Sequence, residues 1–220
     1  MKKYICLFGV LGFLSFAQAQ NVYSLQDPVT SRSFSTSKYS DIRGTPFLVD
    51  KWINGSVTTT KGTYASLELK YNVYDNTLVF NKDEESYEMI DDILSFTLKP
   101  KANEPSGFLV FKKGISGADI RPGQFVQVLA EGNINLYKLP VKQVSEMSEV
   151  NAGVVQTFTN NAKYYIGKTG QLHFIKMNKE EVLNAMQDKQ SQIESFIREK
   201  KLSLRKEGDV IDLITYYNSL

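Results

Sequence analysis

Hydrophobic and polar residues alternate most regularly between residues 63 and 80. Apolar side chains at positions 65, 67, 69, 71 and 73 are separated by polar ones at 66, 68, 70 and 72, and this period of two predicts a strand with one buried face. Asp75 and Asn76 then predict a two-residue turn, because both residues tolerate positive φ. Such a turn sets Tyr71 opposite Phe80, so that both strands carry their apolar residues on one face.

Shorter extended stretches continue along the chain to about residue 175. They are predicted over residues 46–49, 56–60, 87–90, 94–98, 108–111, 125–130, 134–141, 154–158, 164–166 and 172–174. Turns are predicted at Asn54-Gly55 and Gly132-Asn133, and the run at 108–111 suits a strand buried on both faces. About nine or ten strands at this spacing predict an antiparallel β-rich sheet, either a sandwich or a curved, partly closed sheet.

The last predicted hairpin carries the only histidine of the chain. Its loop over residues 168–170 has Gly170 in third place, where three-residue hairpin loops favour a left-handed residue. This loop sets Ile166 opposite Leu172. His173 then faces away from these apolar residues, at the surface, and its uniqueness alone motivates the hypothesis that it acts as a general base.

At Asn178 the hydrophobic period changes to that of a helix. Asn178 and Glu181 form a capping box, and apolar residues three and four positions apart then predict three short helices. We expect these helices, within residues 178–220, to pack on the β-rich domain formed by residues 44–177, as part of the same domain. The predicted fold class is therefore α+β.

The first 19 residues have the features of a signal peptide. Lys2 and Lys3 precede an apolar run of about 13 residues, which is too short to span a membrane as a helix, and residues 17–19 fit a cleavage site. Removal of this segment also removes Cys6, the only cysteine. Disulfides and thiolate chemistry are thereby excluded from the mature chain.

Signal removal also changes the charge of the chain. Two of the 26 Lys and Arg residues leave with it, and the rest balance the 24 Asp and Glu residues, which argues against nucleic acid as a partner. Residues 20–43 are polar and rich in Ser and Thr and predict an N-terminal arm. An exported chain of this length without cysteine favours a bacterial periplasmic, outer-membrane-associated or extracellular protein with no transmembrane segment in its mature part.

No constellation of residues predicts a catalytic site, a metal site or a cofactor. One histidine cannot form a multi-histidine metal site, and the glycine-rich loop 114–123 lacks a phosphate-binding motif. The acidic runs 83–85 and 91–92 lack the spacing of a calcium loop. Two carboxylates distant in sequence can still flank a sugar, as they do in glycosidases.

Aromatic residues supply the candidate binding site, since the chain has 12 tyrosines and 13 phenylalanines. Tyr64, Tyr74 and Tyr87 lie on or near the first hairpin, with Tyr64 and Tyr74 on its polar face, and Trp52 is the only tryptophan. A row of exposed tyrosines can recognise sugars, peptides or a partner protein. The alternative is that these rings form ordinary cross-strand contacts.

Several short segments resemble a family of uncharacterised secreted proteins of Gram-negative bacteria. The segment GTPFL at 44–48 is similar to the family's G-x-P-aromatic-L start, and YNVY at 71–74 is similar to its YN-x-Y hairpin. The C-terminal end, with Tyr-Tyr-Asn at 216–218, also resembles theirs. The resemblance implies an envelope or secreted location and carries over no catalytic residue.

Together these observations predict an exported, non-enzymatic protein that binds a partner protein or a glycan ligand in the bacterial cell envelope. Two alternatives remain open. One is a carboxylate-dependent hydrolase that acts on envelope polysaccharide, and the other is a structural component of an outer-membrane assembly.

Overall fold

The computed structural model describes residues 31–99, 107–149, 153–168 and 170–220, within which the chain forms twelve strands and three α-helices. The strands are β1 (Ser31–Ser33), β2 (Ile42–Arg43), β3 (Ile53–Thr59), β4 (Thr63–Asn72), β5 (Thr77–Lys82), β6 (Glu85–Met89), β7 (Ile93–Leu98), β8 (Leu109–Lys112), β9 (Val126–Ala130), β10 (Asn135–Glu149), β11 (Gly153–Lys168) and β12 (Gln171–Ile175). The helices are α1 (Lys179–Asn184), α2 (Gln190–Lys200) and α3 (Glu207–Ser219). The predicted signal peptide lies outside the described residues.

All twelve strands belong to one sheet with the order β1-β6-β5-β4-β3-β7-β8-β9-β10-β11-β12. Neighbouring strands in this order are antiparallel, and β2 pairs in parallel with β11. The two short strands β1 and β2 come from the stretch that the sequence assigns to the polar arm. The predicted α+β class, with a β-rich sheet followed by three C-terminal helices, is confirmed, although the sheet has more strands than predicted.

An aromatic core lies within the first half of the sheet. The ring of Tyr71 lies 5.2 Å from those of Phe96 and Phe111, and 5.7 Å from that of Phe125, between centroids. Phe96 and Phe111 stack on each other at 4.7 Å. All four rings are buried, and contacts of this kind add to the stabilisation from burial alone.

The second half of the sheet is covered on both faces. The helices pack on one face, where Leu136, Ile166 and Ile175 join the buried residues of α1 and α3. On the other face, Tyr137 and Tyr165 form a smaller core under the loop that precedes β9. Since adjacent residues of a strand point to opposite faces, β10 and β11 place alternate apolar residues in these two cores. No helix in the described part of the chain is long and apolar enough to cross a membrane.

Close to its turn, the first hairpin has the predicted faces but not the predicted register. Tyr71 pairs with Leu78, and the loop between the strands has four residues rather than two. The side chain of Asn72 accepts a hydrogen bond from the backbone N–H of Asp75 at 3.1 Å, which closes the turn earlier than expected. A shift of two residues preserves which face each side chain occupies, so Tyr71 and Phe80 are still buried.

The predicted turn at Asn54-Gly55 is wrong, because both residues lie inside β3. A Cβ atom on Gly55 would lie 2.3 Å from the carbonyl oxygen of Thr97 on β7. Glycine is therefore required here because two strands approach closely, which is a common reason for glycine within a strand. The predicted strand at 46–49 is also wrong, since it contributes only an isolated bridge at Phe47.

Two predictions further along the chain need correction. The run at 108–111 is not buried on both faces, because Phe108 is 70% exposed and only Phe111 of this run is fully buried. The turn at Gly132-Asn133 predicts Tyr137 opposite Val128 and Leu136 opposite Leu129. Only the first pair forms, because a bulge pairs Leu136 with Ala130. Residues 99–107, whose two prolines and one glycine predict a loop, lie mostly outside the described residues.

Candidate functional site

The structure does not gather the four aromatic residues singled out from the sequence. A bulge in β4 opposite Ser56 shifts the register between Gly55 and Val57, and Ser66 takes a φ of 58° there. The bulge inverts the alternation for the residues before it. Tyr64 is therefore buried at 5% exposure, whereas Tyr74 lies beyond the far end of the strand, so no exposed tyrosine row forms.

Trp52 is half-buried in a structural contact. The Nζ of Lys70 lies 5.0 Å from the centroid of the Trp52 ring and 5.1 Å from that of Phe47. The same ammonium group pairs with the carboxylate of Asp50 at 3.0 Å. A cation between two aromatic faces is an arrangement that stabilises the fold, and here Lys70 already occupies the faces of both rings.

Tyr74 and Tyr87 also have partners within the fold. The ring of Tyr74 meets those of Tyr39 and Phe158 edge to face at 6.2 and 5.3 Å, and 41% of Tyr74 remains exposed. Tyr87 stacks on Phe80 with ring centroids 5.7 Å apart. These contacts match the alternative interpretation, in which the tyrosines pack against their neighbours.

A more suitable site lies between the last hairpin and the C-terminal helices. It is a cleft of about 480 Å³, which we call the C-terminal cleft, lined by Ile134, Ile166, Gly167, Lys168, Gln171, His173, Asn184, Ala185, Asp188 and Tyr217. Its floor is apolar and buried, since Ile134, Ile166 and Tyr217 are each at most 5% exposed. Its rim is polar and exposed and consists of Lys168, Gln171, His173, Asn184 and Asp188.

The register of the last hairpin decides which residues face this cleft. Lys168 pairs with Gln171, so the loop is one residue shorter than predicted, and Ile166 pairs with His173 rather than with Leu172. A shift of one residue exchanges the faces of a strand. This exchange places Ile175 in the core below the helices. It also turns His173 toward the cleft, where its side chain is exposed, as the sequence predicts.

The helix side of the cleft is held by a hydrogen bond that joins two elements. The hydroxyl of Tyr217 on α3 donates to Oδ1 of Asp188 at 2.9 Å. Burial raises the pKa of Tyr217, and its hydrogen bond to Asp188 raises it further. Lys189 places its ammonium group 4.8 Å from the centre of the Tyr217 ring. Tyr217 is therefore a neutral, fixed part of the floor at physiological pH.

Helix α1 brings Asn184 to the rim, and a local cap positions that helix. Asn178 accepts a hydrogen bond from the backbone N–H of Glu181 at 3.0 Å. The carboxylate of Glu181 in turn accepts from the backbone N–H of Lys176 at 2.7 Å. The cap by Asn178 is the one predicted from the sequence, whereas Glu181 accepts from the N–H of Lys176 and not from that of Asn178. Together these bonds fix the start of α1 directly after β12.

The rim offers polar groups of several kinds. Lys168 donates hydrogen bonds and carries a positive charge, Asp188 accepts them and carries a negative charge, and the carboxamides of Gln171 and Asn184 both donate and accept. A buried apolar floor with a few polar groups around it is typical of small-molecule sites, which range from about 300 to 1,000 Å³. Sequence reasoning singled out His173 alone among these residues, because the rest come together only through the hairpin register and the helix packing.

The acidic run 83–85 is an exposed turn, whereas the side chain of Asp91 in the second run is only 6% exposed. Asp83 and Glu84 both have positive φ and form the tight turn between β5 and β6. Asp91 pairs with Lys61 at 2.7 Å. No group of three His, Cys, Asp or Glu residues in the described part of the chain could hold a metal ion.

Comparisons with known proteins supply no relative. The chain matches no protein-family model, and no curated protein or solved structure is significantly similar to it.

Proposed function

We propose that this chain is an exported, non-enzymatic protein of the bacterial cell envelope, and that it binds a glycan ligand in the C-terminal cleft. The observation that supports the proposal is the combination of a buried apolar floor with a rim that both donates and accepts hydrogen bonds. Sugars present hydroxyl groups that do the same, together with apolar C–H surfaces. The export part of the proposal depends on the predicted signal peptide and on the resemblance to secreted proteins of Gram-negative bacteria.

The cleft favours binding over hydrolysis. Glycosidases place two carboxyl groups about 5 to 9.5 Å apart across the scissile bond. Among the described residues that line the cleft, Asp188 supplies one carboxylate, and its Oδ1 already accepts from Tyr217. A second carboxylate in the lining would be needed for the hydrolase alternative.

The proposal is tested by calorimetric titration of the chain, without its predicted signal peptide, with soluble peptidoglycan fragments. We expect saturable binding that Asp188→Asn weakens about tenfold, since Asn can still accept from Tyr217 but lacks the charge. The matched control is Asp119→Asn, which removes an exposed carboxylate paired with Lys163 at 3.1 Å, outside the cleft.

The control variant should bind like the wild-type chain. Absence of binding, or an equal loss in both variants, would contradict a glycan site in the C-terminal cleft. Turnover of the fragments would instead support the hydrolase alternative.

A further inference from the structure

A second cleft lies where the segment after β2 crosses the β10–β11 pair. This cleft of about 300 Å³, which we call the ribbon cleft, is lined by Leu48, Val73, Lys138, Pro140, Val141, Lys142, Asn160, Asn161, Ala162 and Tyr164. It shares no residue with the C-terminal cleft. Its volume corresponds to about ten water molecules at roughly 30 Å³ each, which suits a small ligand.

The register of β10 and β11 orders the floor of the ribbon cleft. Lys142 pairs directly with Asn160, Pro140 with Ala162, and Lys138 with Tyr164. Because partners in an antiparallel pair share a face, the cleft has an apolar centre with one lysine at each end.

The lysine at one end is already neutralised. Nζ of Lys138 pairs with Glu207 at 2.7 Å, and the Tyr164 hydroxyl donates to the same carboxylate, also at 2.7 Å. Burial raises the pKa of Tyr164, and the bond to Glu207 adds to this effect. At this end of the cleft the charges of Lys138 and Glu207 therefore cancel, and the hydroxyl of Tyr164 is neutral.

Lys142, at the other end, carries a positive charge that no described carboxylate pairs with. Its Nζ donates to the backbone carbonyl oxygen of Thr45 at 2.6 Å, and it is half-buried. Burial lowers the pKa of Lys142, and the charge of Asp50 acts in the opposite direction. An ammonium group has three donors, so two remain beyond the bond to Thr45.

The walls of the ribbon cleft are apolar between these two ends. Val73 and Pro140 are buried, and Leu48 and Ala162 are half-buried. The exposed carboxamide of Asn160 has no hydrogen-bond partner among the described residues and lies on the same face as Lys142. One uncompensated positive charge suits a monoanion better than a doubly charged phosphate, because Lys138 is already paired and Asp50 adds negative charge.

We propose that the ribbon cleft binds a small ligand with one carboxylate and a short apolar body, in which Lys142 and Asn160 hold the carboxylate and the apolar walls hold the body. The charge–charge contact is formed in a partly desolvated site, where it is stronger than at an open surface. This site is distinct from the proposed glycan site, since the two clefts share no lining residue, although β11 contributes to both.

Calorimetric titration with hexanoate and with its neutral counterpart 1-hexanol tests this proposal. We expect hexanoate to bind at least tenfold more tightly than hexanol, and Lys142→Gln to remove that preference. Lys163→Gln is the matched control, because Lys163 lies on the opposite face of the same strand pair and its partner is the exposed Asp119. The control should retain the preference.

A second measurement does not depend on the folding of a variant. Acetic anhydride should acetylate Lys142 in the wild-type chain, and hexanoate should protect it, as read by mass spectrometry of the digested protein. Equal affinities for hexanoate and hexanol, no saturable hexanoate binding, or acetylation of Lys142 that hexanoate leaves unchanged would each overturn the proposal.

Discussion

Gly55 provides the sharpest test of the observed sheet packing. In β3 it faces β7 so closely that an added Cβ would lie 2.3 Å from the carbonyl oxygen of Thr97 and 2.7 Å from Cδ1 of Leu69. The first neighbour is backbone inside a strand ladder, and the second is a fully buried side chain. Neither can withdraw without disturbing the core, so we expect Gly55→Ala to push β3 and β7 apart.

The magnitude follows from two opposing effects. Overpacking of a well-packed site costs about 1–3 kcal/mol, and contact with backbone places this case at the upper end. Replacing glycine with alanine also stabilises by about 0.4–1 kcal/mol through the unfolded chain. The net loss of about 2–2.5 kcal/mol corresponds to a fall in Tm of roughly 4–10 °C for a chain of this size.

Gly208 offers the same chemical change without the close contact. It lies in the first turn of α3, and a Cβ there would meet no atom within 4 Å. Gly208→Ala should raise the Tm by roughly 1–4 °C, because alanine is favoured over glycine in a helix. Differential scanning calorimetry of both variants and the wild-type chain measures the two effects. Equal Tm values for Gly55→Ala and the wild-type chain would refute the packing described for β3 and β7.

Three further predictions concern buried hydroxyl groups, a helix cap and alkaline pH. In each case urea unfolding measures the change in the free energy of unfolding. Tyr71→Phe should lower the free energy of unfolding by about 1 kcal/mol, because the Tyr71 hydroxyl donates to a side chain of the turn at 3.0 Å. Tyr165→Phe should be neutral or stabilising, since the buried Tyr165 hydroxyl has no partner in the described chain. Asn178→Ala should lower the free energy of unfolding by about 1 kcal/mol through loss of the α1 cap. Asn178→Asp should restore this stability, because aspartate can make the same cap. Burial raises the pKa of Tyr137 to about 12 from its ordinary value of 10.0, so stability should fall between pH 10 and 12, where the unfolded chain loses this proton first. Tyr137→Phe should make that fall shallower, and an unchanged slope would contradict the assignment.

The faces of strands were more predictable than their registers. Alternation correctly placed Leu69, Tyr71 and Phe80 in one core, because an error of two residues in the turn leaves every face unchanged. The bulge in β4 had no signal in the pattern, since Ser66 is not a residue that sequence rules place at positive φ. Tyr64 was assigned to the wrong side of the sheet for this reason.

The long β10–β11 ribbon was missed for a related reason. Residues 145–149 are polar except for Met147 and lack the alternation that marks a half-buried strand. They nevertheless continue β10 and pair with β11 up to Glu149↔Gly153. Strand pairing there depends on backbone hydrogen bonds, which the hydrophobic pattern does not report. Helix α1 was predictable because a local capping box marks its start.

The candidate sites were the least predictable part of the molecule. Asp188 and Tyr217 are 29 positions apart and meet only through the packing of α3, and Lys142 meets Thr45 across 97 positions. None of these residues lies in a local motif. His173 was noticed for its uniqueness, but its place on the rim follows from a hairpin register in which Ile175, and not Leu172, enters the core below the helices.

The central claim is that the C-terminal cleft binds a glycan, and a ¹H–¹⁵N NMR titration tests it most directly. The labelled chain, without its predicted signal peptide, is titrated with soluble peptidoglycan fragments. We expect shifts confined to the amides of residues 166–168, 170–173 and 184–188 and to those near Tyr217, with smaller shifts in Asp188→Asn. Unchanged spectra, or shifts that centre on the aromatic residues of the first hairpin, would contradict it.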